Sequence, residues 1–321
     1  MNILIVKLSS LGDVVHAMPA VQDLRAALPQ ARIDWVVERG FAPLAQRCEG
    51  VRRVVPCELR KWRKAPLARD TRAEWRAFRS ELHREHYDAV IDLQGLMKSA
   101  LVARMARLAP GGKRYAMANR TEGSSYEAPT RWVADVAVPV EPRSHAVQRS
   151  RDVCAQAFGY VPAASLRYGL GRAAATREDT VVLVHGTSRA DKCWPEAHWV
   201  ELGRRLVAQG HGIGLPHGSD DERARSERIA AALGPRAQAW PRLSLDALTA
   251  RMATCYGAIG VDSGLSHIAV ALDLPHVQVY NFDTAWRTGP IGHPRQRSVY
   301  AAPAPGVDSV WQAWQAVTVP G

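Results

Sequence analysis

The chain opens with the segment that most restricts its fold: a short apolar strand, a turn of small residues and a long helix. MNILIVKL is rich in apolar and β-branched residues, SSLGD supplies the turn, and VVHAMPAVQDLRAAL follows with a helical pattern. This order is typical of the start of a doubly wound α/β domain, where ligands bind at the carboxyl ends of parallel strands. The turn is therefore a predicted ligand site, and Asp13 lies in it after Gly12.

Two interpretations of Asp13 are open from this segment alone. Ser10 and Asp13 have the spacing of a capping box, and a negative charge is favourable at the positive end of a helix. Alternatively, the carboxylate faces the crevice at the end of the sheet and serves a ligand there. The second interpretation requires a complementary ligand site elsewhere in the chain.

The alternation of strands and helices continues to about residue 165 and then restarts. Predicted strands are 2–7, 33–38, 51–56 and 89–93, and predicted helices are 14–28, 72–85, 96–108 and 145–158. After a polar stretch, strands are predicted at 180–186, near 213, at 237–240, at 257–261 and at 276–282, with helices at 196–208, 221–233, 245–254 and 265–272. The prediction is an α/β chain of two doubly wound Rossmann-like domains that face each other across a cleft.

The predicted domain limits follow from this rhythm. They are a first domain at 1–168, a linker at 169–179, a second domain at 180–306 and a terminal segment at 307–321, predicted as a helix that packs back on the first domain.

The charge of the chain indicates an anionic partner. Lys and Arg number 42 against 31 Asp and Glu, a net charge of +11, which suits nucleic acid, a phosphorylated substrate or an acidic membrane surface. The densest basic cluster is Arg60, Lys61, Arg63 and Lys64 around Trp62, directly after the strand VRRVVPC. It is either a solvated charged loop or a binding surface on the crevice side of the first sheet.

Several classes of protein are disfavoured by what the sequence lacks. No apolar run approaches the roughly 18 to 20 residues of a membrane span, and Lys7 interrupts the first one, so a cytoplasmic protein is expected. The five cysteines are scattered and contain no CxxC pair, so they are expected to be free thiols without a structural metal. Neither GxGxxG nor GxxxxGK[ST] is present, which disfavours a nicotinamide-dependent oxidoreductase and a P-loop enzyme.

The second half contains two strand ends with the chemistry of a phosphate site. HGTSRADKCW supplies the hydroxyls of Thr187 and Ser188 and the charge of Lys192. The same residues are also compatible with an ordinary strand-to-helix turn that has an exposed lysine. VDSGLSH places Asp262, Ser263 and Gly264 at a helix N-terminus, where free N–H groups attract an anion, although Asp and Ser also cap helices. Together the two turns favour a diphosphate site.

Glu222 lies after a third strand end, at the start of a helix. Its carboxylate can hold ribose hydroxyls there, or it can simply be one of several acidic residues that are favourable at a helix N-terminus. His16, His185 and His267 have no ligand spacing among them, and they are predicted to be core or orienting residues rather than metal ligands.

With these residues assembled, the chain resembles the lipopolysaccharide heptosyltransferases of glycosyltransferase family 9. The segments that carry the resemblance are KLSSLGDVVHAMPA, DWVVERGFA, RKWRKA, YDAVIDLQGLMKSAL, HGTSRADKCWPEAHW and VDSGLSHIAVALDLP. SSLGD and VDSGLSH are typical of the whole family, whereas WVVERGFA and RKWRKA are more similar to heptosyltransferase I than to heptosyltransferase II. The chain departs from many relatives at NFDTAWRTGPIG, so residues 281–287 receive no role from the resemblance.

The resemblance implies a GT-B fold and an inverting transfer of L-glycero-D-manno-heptose from ADP-heptose to the first Kdo of Kdo2-lipid A, without a cofactor or metal. Asp13 is the implied general base, and Lys192 is the implied donor-binding lysine with a catalytic role. The other implied donor residues are Thr187, Ser188, Ser263 and Gly264 near the diphosphate, Asp262 near the heptose, Glu222 at the ribose, Leu243 at the adenine, and His267. The implied acceptor residues are Ser10, Gly12, Arg60, Lys61, Arg63, Lys64 and Arg120.

In this hypothesis Asp13 accepts the proton of the acceptor hydroxyl while that oxygen attacks the anomeric carbon and ADP leaves from the opposite face. The expected protein is a monomer that contacts the anionic cytoplasmic face of the inner membrane peripherally and binds no nucleic acid. The alternatives are heptosyltransferase II or another ADP-heptose transferase of the family and, from another class, a nucleotide-dependent oxidoreductase.

Overall fold

The computed structural model describes residues 1–171 and 178–319 and divides them into two compact units. The first ends at Gly169 and the second begins at Leu170, close to the start of the segment predicted as a linker. Residues 172–177 of that segment, and 320–321 of the predicted terminal segment, lie outside the described residues.

The first unit is built on parallel strands with helices between them. Its described strands are β1 (Asn2–Val6), β2 (Arg32–Glu38), β3 (Val51–Cys57), β4 (Tyr87–Asp92), β5 (Leu108–Met117) and β6 (Val136–Val138). Its described helices are α1 (Leu11–Ala27), α2 (Ala42–Gln46), α3 (Leu59–Lys64), α4 (Arg69–Leu82), α5 (Met97–Met105), α6 (Thr130–Val133) and α7 (Ala146–Phe158). The six strands described here lie in the order β3-β2-β1-β4-β5-β6.

The first strand occupies the centre of this sheet. Ile3 pairs in parallel with Ile33 on one side and with Ala89 on the other. The side chains from Ile3 to Val6 are fully buried, and each such burial contributes about 1.5 to 3 kcal/mol relative to exposure. The strand order reverses between β1 and β4, so the turn that holds Asp13 lies at the topological switch point where doubly wound sheets bind ligands.

The second unit repeats the same plan. Its described strands are β7 (Thr180–Val184), β8 (Gly212–Leu215), β9 (Ala237–Ala239), β10 (Gly257–Val261), β11 (His276–Tyr280) and β12 (Gln296–Tyr300). Its described helices are α8 (Glu196–Ala208), α9 (Asp220–Leu233), α10 (Leu245–Thr254), α11 (Gly264–Ala271), α12 (Ala285–Thr288) and α13 (Val307–Thr318). All strand pairs are parallel, in the order β12-β11-β10-β7-β8-β9. The switch point lies between β7 and β10, and the prediction of two doubly wound units is confirmed.

The basic segment is a helix and not the loop that the sequence suggested. Trp62 of α3 is buried against Trp75 and Phe78 of α4, and its ring N–H donates a hydrogen bond to Glu74. The buried ring of Trp62 holds α3 against α4, whereas the charged residues of α3 by themselves would favour a segment surrounded by solvent. Trp62 thereby holds the neighbouring cations in a defined place.

Three strands were missed by the sequence analysis: β5, β12 and the short β6, whose three residues give too little pattern to reveal a strand. β5 contains Pro110, Gly111 and Gly112, residues that favour turns, and its pairing with β4 shifts register to accommodate them. Because β5 begins at Leu108, the helix predicted to extend to that residue ends at Met105. β12 was missed because its sequence QRSVY lacks an apolar pattern.

The last helix belongs to the core of the second unit. Val307, Val310, Trp314 and Val317 are buried among residues of that core, and α13 contacts β11, β12 and α8. The apolar face of α13 is therefore used within the second unit, and the packing of this helix on the first domain stays a prediction.

Candidate functional site

Asp13 lies in the first turn of α1, beyond the short turn that follows the carboxyl end of β1. Its Oδ2 atom accepts hydrogen bonds from the backbone N–H of Ser10 at 3.1 Å and from the Ser10 hydroxyl at 2.8 Å. The capping contact expected from the spacing is therefore present. About a third of the Asp13 side chain remains exposed, at 36%, so capping leaves the carboxylate accessible to a ligand.

A buried cation lies beside this carboxylate. The Nζ atom of Lys7 is 3.7 Å from Oδ1 of Asp13 and donates a hydrogen bond to the carbonyl oxygen of Leu93. Burial by itself would raise the pKa of Asp13, but Lys7, the hydrogen bonds from Ser10 and the charge of Arg149 outweigh it and lower the pKa. Asp13 is consequently ionised, as a proton acceptor must be before the reaction.

Behind Lys7 lies a second carboxylate that the sequence analysis missed. Asp92, at the end of β4, is buried and accepts hydrogen bonds from the backbone N–H groups of Gln94 and Gly95 and from the hydroxyl of Ser99. Burial raises the pKa of Asp92 to about 6 in spite of these donors. Asp92 could have been proposed from the sequence, because it ends an apolar strand that lies at the switch point of the sheet.

The other predicted residues of the first unit also follow carboxyl ends of strands. Gly12 follows β1, the cations of α3 follow β3, and Arg120 is exposed in the turn after β5. Since neighbouring strands are about 4.8 Å apart, β3 and β5 each lie about 10 Å from β1 on opposite sides. Arg120 and the α3 cations therefore flank the turn that holds Asp13.

The cations of α3 differ in their partners. Lys61 lies 2.6 Å from Glu74 and 3.8 Å from Glu58, so its charge is balanced within the protein. Arg63 and Lys64 are exposed and form no ion pair with a carboxylate among the residues that the structure describes. These two have the greater capacity to receive an external anion.

In the second unit an ion pair joins two of the predicted turns. The Nζ atom of Lys192, in a short 3-10 turn after β7, lies 2.5 Å from Oδ2 of Asp262 at the end of β10. The hydroxyl of Thr187 donates to the carbonyl oxygen of Asp262 at 3.2 Å. Both turns are therefore held together in one cluster at the switch point.

Asp262 is buried, with 8% of its side chain exposed. Burial alone would raise the pKa of Asp262, but His267, whose Nε2 lies 3.5 Å from Oδ1, and Lys192 lower the pKa well below its ordinary range. The hydroxyl of Thr288 lies 3.5 Å from the same oxygen. Asp262 thus carries a permanent negative charge that can accept hydrogen bonds from hydroxyl groups.

The N-terminus of α11 is open to an anion. Ser263 is its N-cap residue, yet its hydroxyl caps no backbone N–H of the helix, and its described partner is Ser266 at 3.5 Å. The first N–H groups, beginning with that of Gly264, retain the positive potential of a helix end. Ser188 is exposed after β7, the neighbouring strand.

Glu222 bends back over the N-terminus of its own helix α9. Its Oε2 atom accepts a hydrogen bond from the N–H of Gly218 at 2.7 Å, and its carboxylate lies against Gly186, where a Cβ atom would stand 2.5 Å from Oε1. The glycine therefore makes room for the carboxylate beside the turn after β7. Leu243 is half-buried in the turn after β9.

Asn281 connects the segment that the resemblance left without a role to the Lys192 turn. Its amide group donates to the carbonyl oxygens of Asp191 at 3.2 Å and Cys193 at 2.9 Å. These two residues flank Lys192, so Asn281 holds the backbone that carries the ammonium group. Its position directly after β11 was the signal for it in the sequence.

The remaining histidines have structural surroundings. His185 is fully buried and its Nε2 pairs with the hydroxyl of Ser226 at 2.8 Å, and the ring of His16 packs edge-on against that of His145. Among residues 1–171 and 178–319, no three His, Cys, Asp or Glu side chains are grouped so that they could hold a metal ion. None of the helices within those ranges has the length and apolarity needed to cross a membrane.

Comparisons with known proteins agree on one family. The family model described as glycosyltransferase family 9 (heptosyltransferase) matches residues 75–305. Lipopolysaccharide heptosyltransferase 1 of Pseudomonas aeruginosa is 39% identical over 297 residues, which cover 91% of this chain and 82% of that protein.

Solved structures extend the similarity to the whole fold. The Escherichia coli heptosyltransferase WaaC with ADP is 32% identical, with a TM-score of 0.89 over 99% of this chain and 100% of that one. The same enzyme with ADP-2-deoxy-2-fluoro heptose is 33% identical, with a TM-score of 0.83 over 97% and 98% of the two chains. The predicted GT-B fold class is thereby confirmed.

Proposed function

The chain belongs to glycosyltransferase family 9, the heptosyltransferase family, and from this membership we propose that it moves L-glycero-D-manno-heptose from ADP-heptose to the first Kdo of Kdo2-lipid A. The reaction would belong to the assembly of the lipopolysaccharide inner core. The similarity to a heptosyltransferase solved with ADP and with an ADP-heptose analogue supports the donor.

The observation that carries the proposal is the order of the donor residues along the second sheet. Asp262 follows β10, Thr187 and Lys192 follow β7, Glu222 follows β8 and Leu243 follows β9, and these four strands are consecutive neighbours. An extended ADP-sugar laid along this edge would meet, in turn, a carboxylate for the sugar, cations and N–H groups for the diphosphate, a carboxylate for the ribose and an apolar residue for the base. The chemical order of the ligand matches the strand order.

The proposed mechanism is a single displacement with inversion. Lys7 and Ser10 keep Asp13 ionised. Asp13 accepts the proton of the acceptor hydroxyl while the oxygen of that hydroxyl forms a bond to the anomeric carbon. The low pKa makes Asp13 a weak base, so the proton transfers late, when the attacking oxygen has already become acidic. An oxocarbenium-like centre needs little activation of its nucleophile.

Most of the catalytic effect would then come from stabilising the leaving diphosphate. Negative charge grows on ADP as the glycosidic bond breaks, and donors that are already oriented toward it lower the barrier. Lys192 and the open N-terminus of α11 are the proposed donors. Lys192 is held by Asp262 and by the backbone that Asn281 supports.

On the acceptor side, the exposed cations Arg63 and Lys64 would meet phosphates and Kdo carboxylates, together with Arg60, Lys61 and Arg120. The acceptor is carried by a membrane lipid, and exposed basic side chains are attracted to anionic leaflets by about 1 kcal/mol each. We therefore propose peripheral binding to the cytoplasmic face of the inner membrane. Release from anionic vesicles by high salt would support it, and an absence of vesicle binding would contradict it.

A comparison of acceptors tests the function directly. Purified protein with ADP-heptose is expected to modify Kdo2-lipid A, and not its mono-heptosylated form, in a mass-spectrometric assay. The reverse preference would assign the chain to the heptosyltransferase II reaction. Thermal stabilisation by NADH with none by ADP-heptose would reject the transferase assignment, since a ligand stabilises the fold that binds it.

A further inference from the structure

The first unit contains an apolar groove that the proposed chemistry leaves unused. It lies among α3, α4 and α5 and has a volume of about 750 Å³. Leu59, Trp62, Trp75 and Leu101 supply apolar lining. The rings of Trp62 and Trp75 meet edge-to-face with centroids 5.4 Å apart, and the Trp62 N–H is satisfied by Glu74. The aromatic pair thus offers carbon surface without an unpaired polar atom from Trp62.

Exposed hydrophobic side chains occur in this groove and at residues next to its lining along the chain. Leu101 is 54% exposed although it lines the cavity, and Leu67, next to the lining residue Pro66, is 76% exposed. Met97, next to the lining residue Lys98, is 43% exposed. Exposed apolar side chains that gather at one place mark a surface for an apolar ligand, whereas scattered ones carry no such meaning.

The rim of the same groove is cationic. Arg63, Arg72, Arg76 and Lys98 line it, and the three arginines form no ion pair with a carboxylate in the part of the chain that the structure describes. Apart from Thr71, the polar side chains of the lining are all cations. Among these side chains a bound peptide would find the Thr71 hydroxyl as an acceptor for its backbone N–H groups, whereas a hydrocarbon chain needs no acceptor.

We propose that the groove among α3, α4 and α5 binds an acyl chain of the phosphorylated lipid that carries the acceptor sugar, with the cationic rim facing its phosphates. The assignment rests on the proposed function. The volume lies within the range of about 300 to 1,000 Å³ found for small-molecule sites. Arg63 belongs both to the basic face of α3 and to the groove, so one helix would position the sugar-phosphate end and the chain of the same molecule.

Acceptor chain length provides the kinetic test. Because each buried methylene group strengthens binding by about four-fold, acylated Kdo2-lipid A is expected to have at least a ten-fold lower KM than its fully deacylated form. Leu101→Asp places a charge in the groove on an already exposed residue. It should raise KM for the acylated acceptor at least ten-fold and leave kcat and the deacylated acceptor unchanged. Val161→Asp, at a 91% exposed residue outside the lining, is the matched control.

A binding measurement separates this inference from the enzymatic one. 12-Bromododecanoic acid below its micellar concentration should quench tryptophan fluorescence saturably, because the bromine would lie beside Trp62 and Trp75, and Leu101→Asp should weaken this at least ten-fold. Saturable quenching that Leu101→Asp does not alter, or no quenching, would overturn the groove assignment. Quenching that Leu101→Asp weakens without a change of KM for the acylated acceptor would assign the groove to another lipid and overturn the proposal. If neither acceptor is modified while quenching behaves as expected, the proposed function fails and the amphiphile site stands.

Discussion

The ammonium group of Lys192 lies 2.5 Å from Oδ2 of Asp262, and this contact joins the turn after β7 to the turn after β10. The two residues are 70 positions apart in the chain. Asp262 is buried, and its charge is stabilised by His267 and by this partner. The pair therefore holds the ammonium group at the switch point of the second sheet, where a diphosphate is proposed to bind.

Replacing Lys192 by Met should weaken binding of ADP by about 10- to 100-fold, because a charge-assisted hydrogen bond contributes about 1.5 to 3 kcal/mol. Isothermal titration calorimetry with ADP measures the effect. Arg204→Met, at an exposed cation on α8 of the second unit, should bind ADP like the unmodified protein. Equal ADP affinity in the Lys192 variant would remove this residue from the donor site.

Replacing Asp13 by Asn should lower kcat by about 10²- to 10⁴-fold, the usual contribution of a general base. Asn retains an oxygen that can accept the hydrogen bond from the Ser10 N–H, so the variant should fold and bind ADP normally. Asp70→Asn, another first-turn acidic residue but on α4, serves as control in the same steady-state assay. A near-normal kcat for the Asp13 variant would reject the assignment of the base.

Replacing Gly186 by Ala should raise KM for the donor about three- to ten-fold with little change in kcat. The added Cβ would stand 2.5 Å from the Glu222 carboxylate, which must then swing away. Gly218→Ala is a matched control, since its Cβ would meet Glu222 at an ordinary 3.4 Å. In a Glu222→Ala background the Gly186 substitution should have no further effect, and a persistent effect there would show that Glu222 is not the cause.

Acid should destabilise the second unit through His276, which is fully buried with its Nδ1 donating to the carbonyl oxygen of Ala258. Burial lowers the pKa of His276 from 6.5 to about 4. As the pH falls, the unfolded chain therefore binds this proton at a higher pH than the folded chain does. The contribution of neutral His276 to the free energy of unfolding is fully present above pH 6.5 and is lost as the pH falls toward 4. The loss amounts to about 3 kcal/mol.

His276→Asn preserves a donor for Ala258 and removes the titrating ring. Urea unfolding at pH 7.0 and 4.5 should show a smaller loss of stability for this variant than for the unmodified protein. The exposed His86, replaced by Asn, should leave the pH dependence unchanged. An identical loss in the His276 variant would contradict the explanation.

The positions of the site residues along the chain could be predicted from local patterns. An apolar strand followed by a small-residue turn and a helix reveals a strand end, and SSLGD, HGTSRADK and VDSGLSH each occupy one. Asn281 could have been proposed on the same ground, since it follows β11 directly. Its hydrogen bonds to Asp191 and Cys193 could not, because they join segments about 90 residues apart.

The sequence by itself determined the alternation of strands and helices and the turns that hold polar residues, because hydrophobic periodicity and turn chemistry act over a few neighbouring residues. Only the tertiary structure decided which turns become neighbours. Lys192 against Asp262 depends on strand order, and the burial of Lys7 against Leu93 and the ordering of the basic residues on α3 by the buried ring of Trp62 depend on packing. The lowered pKa values of Asp13 and Asp262 therefore have two sources: Lys7, Ser10 and His267 are near neighbours in the sequence, whereas Arg149 and Lys192 reach these carboxylates only through the fold.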